Sequence, residues 1–314
     1  MLALAASQAA ADQPLRLSFP VDCALGESCY IQHYVDRAHG PEIRDFGCGP
    51  LANDGHKGTD IALIDLAAMA RGVTVRAAAA GTVRATRDGM PDINAADPDA
   101  PDLTNRSCGN AVIIDHADGW QTRYCHLRHG SIAVRSGDRV DPNQPLALVG
   151  LSGRTEFPHL HFTVVQDGAI IDPFQPGGET TCATTDTALW IDPIPYRPGG
   201  ILGAGFNQQV PEFDAIKAGT ASQSTLPPDA PALVLWGYIF GGRQGDIVTL
   251  AITGPQGEIL NRTALLKRSQ ARLFRAYGLR HRQDWPLGQY TGTITLTRAG
   301  QVIEQRSTQM KIQP

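Results

Sequence analysis

Five residues of this chain have types and spacings suited to holding a metal ion and moving protons. They are His56 and Asp60 in Gly55-His-Lys-Gly-Thr-Asp60, His126 in Tyr124-Cys-His-Leu127, and His159 and His161 in Pro158-His-Leu-His-Phe162. Imidazole nitrogens and carboxylate oxygens are ligands that zinc favours, and three protein ligands plus a water is the layout of a catalytic zinc site. The chain has nine histidines, and four of them fall in these short motifs, which is more clustering than scattered surface residues would give. The chemistry such a set can do is hydrolysis by an activated water. No His-Glu-x-x-His stands in the sequence, so the glutamate base of that metalloprotease class is missing. Histidines left over after ligation are the natural replacements.

Spacing indicates the elements that must carry these groups. Residues two apart on a strand share a face, so His159 and His161 project together, while Leu160 and Phe162 face the other way. His56 and Asp60 are four apart, and the glycines around Lys57 with the following Thr-Asp-Ile-Ala-Leu favour a strand over a helix. Gly58, on the same strand face, leaves room for an ion. In Tyr124-Cys-His, the histidine is expected to point into a cleft and Cys125 away from it. His33, His39, His116, His129 and His281 read as surface or hydrogen-bonded residues.

At these residues the chain resembles the lysostaphin-like, or LytM-like, zinc metallopeptidases of peptidase family M23. That family's His-x-Gly-x-Asp, Tyr-Ala-His-Leu-like and Gly-Pro-His-Leu-His-Phe motifs correspond here to His56-Lys-Gly-Thr-Asp60, Tyr124-Cys-His-Leu127 and Phe157-Pro-His-Leu-His-Phe162. The resemblance implies that His56, Asp60 and His161 bind Zn2+ and that His126 and His159 are catalytic. It extends over roughly residues 46 to 174. Val75–Val83 looks like the family's strand, turn and strand, and residues 136–150 look like the hairpin before the last motif. Phe157 stands where glycine is usual, and Cys125 replaces a small residue. The resemblance further implies an antiparallel, mainly β catalytic domain with a lipoyl-like core. It also implies a substrate: peptide crosslinks of bacterial cell-wall peptidoglycan, with the D,D-bond between stem peptides preferred here and a glycyl bond as the other member of the class.

The opening Met1-Leu-Ala-Leu-Ala-Ala-Ser-Gln-Ala-Ala-Ala11 looks like the tail of a signal peptide cleaved before Asp12. A periplasmic protein is expected, with secretion as the other reading. Six cysteines agree with an oxidising compartment. Residues 109–125 read as a hairpin whose ends meet, which would join Cys108 to Cys125 and brace the strand carrying His126. Cys23–Cys29 and Cys48–Cys182 complete the expected set. No run of apolar residues after the N-terminus is long enough for a membrane span.

With 314 residues, two domains are expected. A net charge of −4 gives no nucleic-acid footprint. The 33 glycines and 22 prolines favour many short strands over helices. The expected order is a signal-peptide remnant at 1–11, the catalytic domain with an extended N-terminal arm at 12–198, a Pro/Gly-rich linker at 199–230 and an immunoglobulin-like β-sandwich at 231–314. In the sandwich, strands are expected at 232–240, 246–252, 288–297 and 302–306. The acidic loop 87–106 reads as a groove wall or a solvated insertion. Between the C-terminal strands, residues 261–282 hold seven Lys or Arg and read as a solvated face, or as a surface for the acidic catalytic domain or an anionic envelope polymer. The C-terminal domain also offers a surface for an envelope protein partner.

Two other readings stand beside the enzyme. Some LytM-like domains lack zinc ligands and act as non-enzymatic activators of cell-wall amidases, whereas all five residues are present here. A lipoyl-like carrier barrel over Val75–Leu151 leaves the histidines without a role.

Overall fold

Short runs of alternating apolar residues, broken by glycine and proline, give a chain built almost wholly of antiparallel strands. The computed structural model describes residues 15–178, 181–182 and 187–314. The expected signal-peptide remnant lies outside the described residues. In the N-terminal half, the strands are β1 (Cys29–His33), β2 (Thr59–Leu63), β3 (Thr74–Arg76), β4 (Gly81–Arg87), β5 (Asn110–Asp115), β6 (Trp120–Leu127), β7 (Arg139–Val140), β8 (Pro145–Leu148), β9 (His159–Gln166) and β10 (Ala169–Ile171). The main sheet runs β1-β2-β9-β6-β5-β4-β7, with β10 also on β9, while β3 and β8 form a separate pair. The segment 136–150 is therefore not a hairpin, because β7 pairs with β4 and β8 with β3.

The N-terminal arm packs on the sheet: β1 is the edge strand beside β2. The β5–β6 hairpin turns through Asp118 and Gly119, both at positive φ (55° and 73°), the turn that an Asp-Gly pair favours. All six cysteines are paired, as Cys23–Cys29, Cys48–Cys182 and Cys108–Cys125. Two aspartates at the start of the loop 88–106 tie it to segments distant in sequence. Asp88 accepts from Gly130 N–H at 2.8 Å, and Asp92 accepts from His129 and Leu151 N–H at 3.0 and 2.7 Å.

The C-terminal half contains β11 (Gly200–Asn207), β12 (Thr225–Leu226), β13 (Ala232–Gly242), β14 (Ile247–Gly254), β15 (Gly257–Leu265), β16 (Gln270–Arg280), β17 (Gly288–Arg298) and β18 (Gln301–Ile312). A three-stranded sheet β11-β13-β16 faces a five-stranded sheet β12-β18-β17-β14-β15. Leu235, Ile239, Leu250 and Ile294 from the two sheets share one core.

Two expectations are corrected here. The segment 199–230 is not a plain linker, since it supplies β11, the short helix at Phe213–Ala218 and β12. Its glycines permit close packing: a Cβ on Gly205 would sit 2.7 Å from the Trp236 ring. The basic stretch 261–282 does not lie between strands but runs through β15 and β16.

Strand β13 is buried on both faces, which explains its unbroken apolar run Leu233–Phe240. Leu233, Leu235 and Ile239 enter the sandwich core. Trp236, Tyr238 and Phe240 point the other way and form a second cluster with Tyr30 of β1 and Ala62 of β2. The Tyr30 and Phe240 rings lie 4.7 Å apart. The three-stranded sheet is thus sandwiched between the main N-terminal sheet and the five-stranded sheet. Phe240→Ala should cost about 3–5 kcal/mol of stability, as for other buried aromatics, and the shift of a urea unfolding midpoint measures it.

Asp172, just after β10, is 7% exposed, and its Oδ2 has no hydrogen-bond partner. Burial pushes its carboxyl up to about 6. The Phe174 N–H and the Arg37 charge pull against that shift, and Asp45 adds to it. The folded protein therefore holds this proton more tightly than the unfolded chain. The contribution is full below the unfolded value near 4 and is lost as pH rises through 6, to the extent of about 3 kcal/mol. Unfolding midpoints between pH 4 and pH 7 should fall less steeply for Asp172→Asn than for the unaltered protein. Parallel curves would refute this assignment.

Candidate functional site

Three neighbouring strands bring the site together by register. His33 of β1 lies opposite Asp60 of β2, and Asp60 lies opposite His161 of β9. His159 and His161 share a face as the alternation predicted, with Leu160 and Phe162 fully buried on the other face. His56 differs from expectation. It sits in the loop before β2, at the end of a turn closed by His56 N–H donating to Asn53 C=O at 2.9 Å. Gly58 leaves room for the His161 ring: a Cβ there would sit 2.8 Å from both Cε1 and Nε2 of that imidazole.

His126 departs further from regular strand geometry. Asn110 pairs with Leu127 and Val112 with Tyr124, so Cys125 and His126 together oppose a single residue. This is a β-bulge, and His126 takes φ 61° within it. The left-handed conformation is uncommon for a side chain of this size and is held by its surroundings. His126 N–H donates to Cys108 C=O at 2.9 Å, and Gly150 N–H donates to His126 C=O at 3.0 Å. Because of the bulge Cys125 does not simply point away, and both Cys108 and Cys125 line the cleft beside His126.

Asp60 is the hub. Its Oδ2 is 3.1 Å from His56 Nε2 and 3.1 Å from His33 Nδ1. Its Oδ1 is 2.8 Å from His161 Nδ1 and 3.5 Å from His159 Nε2. Burial works against the carboxylate's charge. The charge of His159 and hydrogen bonds from His161, His33 and His56 outweigh burial and hold Asp60 well below the usual carboxylate range. At His56, burial opposes the imidazolium, but the hydrogen bond and charge of Asp60 raise it. His126 is pushed down to about 3, first by burial and then by the charges of His159 and His161. His159 is lowered by burial against the pull of Asp60.

Each ring is oriented through its other nitrogen. His56 Nδ1–H donates to Tyr34 C=O at 2.7 Å, which frees Nε2. His126 Nδ1–H donates to Ser152 C=O at 2.8 Å, and His159 Nδ1–H to Phe157 C=O at 2.9 Å. His161 Nε2 lies 3.1 Å from Thr163 Oγ1, which leaves Nδ1 toward Asp60. Fixing the tautomer in this way is characteristic of metal-ligand histidines. The donor atoms of His56, Asp60 and His161 all lie within 4.8 Å of one another. Two nitrogens and one oxygen at that separation fit a zinc ion. His126 and His159 stand beside this trio, their ring centroids 4.6 Å apart.

All five residues line one cleft of about 580 Å³. His39, His116, His129 and His281 do not line it. His116, for example, is bonded to Ala80 C=O and Thr122 Oγ1. His33 was read as surface or hydrogen-bonded, and it is hydrogen-bonded at the heart of the site. Gln32, Asn53 and Arg272 are further cleft residues that motif reading passed over. The N-terminal arm read only as extended, and nothing local shows that β1 within it pairs with β2. Ala95 brings the acidic loop to the cleft wall.

Residues 54–173 match Peptidase family M23. A 64-residue stretch is 41% identical to the peptidoglycan DD-endopeptidase ShyB of Vibrio cholerae, covering 20% of this chain and 15% of that protein. A 90-residue stretch is 32% identical to the cell division protein DipM of Caulobacter vibrioides, covering 28% and 14% respectively. The chain thus spans about a seventh of the length of these curated relatives. A zinc-containing peptidase from Vibrio cholerae is similar in structure over 46% of this chain and 39% of that one. Its identity is 26% and its TM-score is 0.29, too slight a likeness to carry an argument.

His161→Ala should lower zinc content to near zero by elemental analysis, whereas His126→Ala should keep about one zinc per chain. Zinc retained by the first variant, or lost from the second, would reverse the roles.

Proposed function

We propose that the protein is a zinc-dependent endopeptidase hydrolysing peptide crosslinks of bacterial cell-wall peptidoglycan, on the premise of the match of residues 54–173 to Peptidase family M23. The bond proposed is the D,D-link between stem peptides. The observation that carries this reading is the complete set of His56, Asp60, His161, His126 and His159 around one cleft. The name of the relative ShyB supports the substrate class. Three disulfides favour work outside the cytoplasm, in the periplasm of a Gram-negative cell.

In this reading His56 Nε2, Asp60 and His161 Nδ1 hold the zinc. When bound, the metal supplies Lewis acidity toward the attacking water and the scissile carbonyl. His126 and His159 supply the proton transfers. Burial lowers the basicity of both rings, and their Nδ1–H groups are tied to backbone carbonyls, which leaves Nε2 of each for proton transfer in the cleft. One such nitrogen can accept a proton from the water and the pair can return it to the leaving amine, the two steps peptide hydrolysis requires. A protonated ring at the same place can donate to the tetrahedral oxyanion. A purely non-enzymatic adaptor would have no use for this pair.

Digestion of purified Gram-negative sacculi, with and without a zinc chelator, tests the proposal. Mass spectra of the released muropeptides should show crosslinked dimers converted to monomers only where zinc is retained. Zinc-loaded protein that leaves the dimers intact would overturn the D,D-assignment.

A further inference from the structure

The cleft is not lined by the catalytic sheet alone. Arg272 belongs to β16, in the C-terminal half, and it stands in the same cleft wall as His126, His159 and Phe157. Its register partner is Phe240 of β13, the strand seated on Tyr30. The position of Arg272 is therefore fixed by the cluster that joins the two halves. Its guanidinium carbon lies 4.1 Å from the centroid of the Phe157 ring. A cation over an aromatic face is held in plane and attracted by the ring. Phe157 is also the residue that departs from the glycine of the His-Leu-His motif, so ring and cation form a local pair.

The charge of Arg272 is not neutralised by the protein. Its Nη1 is buried and has no hydrogen-bond partner. The ion pairs made by Arg76, Arg84, Arg197, Arg298 and Arg306 each have a carboxylate, and Arg272 makes none among the described residues. The Tyr30 and Tyr238 hydroxyls lie within hydrogen-bonding reach of the guanidinium, but burial raises both phenols and keeps them neutral, so they supply no counter-charge. Within the cleft, the Asp60 carboxylate is already engaged by four imidazoles. A half-buried guanidinium that lines a cleft and has no carboxylate partner among the described residues is a site for an anion. Its planar fork fits a carboxylate in particular.

We propose that Arg272 is a specificity-determining residue that binds a free carboxylate of the peptide substrate, so that the C-terminal half supplies one wall of the substrate subsite. This rests on the peptidase reading of the cleft. The substrate class it defines is peptides carrying a carboxylate near the scissile bond, as opposed to peptides carrying an amide there.

The test compares one crosslinked muropeptide dimer as its free acid and with its side carboxylates converted to amides. Against the unaltered protein, amidation should raise KM about tenfold with kcat within about twofold, the size of one charge-assisted hydrogen bond. Arg272→Gln should raise KM for the acid by a similar factor and handle acid and amide alike, while Arg272→Lys should keep part of the preference. Calorimetric binding of the same two peptides to His126→Ala protein, which is expected to keep its zinc but lacks a proton-transfer group, decides the matter without turnover, so failure of the peptidase reading and failure of this inference remain distinct. Equal affinity for acid and amide would overturn the proposal. So would an acid preference that survives in Arg272→Gln, or one lost instead in Arg154→Gln, whose side chain also lines the cleft.

Discussion

A buried carboxylate cannot stay charged without partners, and the site is organised around meeting that demand at Asp60. Its side chain is 8% exposed and touches four imidazoles, from His33, His56, His159 and His161. Those rings come from β1, the loop before β2, and β9. They converge only because β1, β2 and β9 pair in one register. A slip of one residue in β9 would turn His159 and His161 to the core face and put Leu160 and Phe162 in the cleft. The apolar set on the far side therefore fixes the polar set on the near side. A cation held by His56, Asp60 and His161 would complete the same charge balance.

How much of this the sequence disclosed depended on the range of the interaction. Strict alternation in Pro158-His-Leu-His-Phe162 revealed the shared face of His159 and His161, because alternation is local. The Asp118-Gly119 turn revealed the hairpin for the same reason, and with it the pairing of Cys108 and Cys125. Nothing local shows that β1 pairs with β2, so His33 read as an ordinary histidine. The bulge at Cys125-His126 was hidden because one extra residue in a strand leaves no mark on composition. Gly205 read as part of a linker, yet it allows close approach to Trp236. The run Leu233–Phe240 was legible as a strand but not as one covered on both faces, which requires knowledge of its neighbours.

The double burial of β13 makes the two halves one working unit. One face closes the sandwich core, and the other lies on Tyr30 and Ala62, residues of the same strands β1 and β2 that carry His33 and Asp60. Further ties cross the same boundary, such as Arg306 Nη2–H donating to Gly26 C=O at 2.7 Å. Cores this dense resist small displacements. A residue such as Arg272 on the adjacent β16 is thereby held at the cleft as firmly as the strands that carry His33, Asp60 and His161.

The bulge at His126 shows what such rigidity achieves. A regular strand would alternate Cys125 and His126 between faces, and a histidine placed that way would not have both its backbone and its ring fixed. The bulge turns His126 to φ 61°, and three contacts hold it there: Cys108 C=O on its N–H, Gly150 N–H on its C=O and Ser152 C=O on its ring. The Cys108–Cys125 disulfide joins the segment that supplies the first contact to the residue just before the bulge. Unfavourable backbone geometry persists only where the surroundings overdetermine it. Here the surroundings also fix which nitrogen of His126 carries its hydrogen, so the conformation that costs backbone energy presents the Nε2 lone pair beside His159.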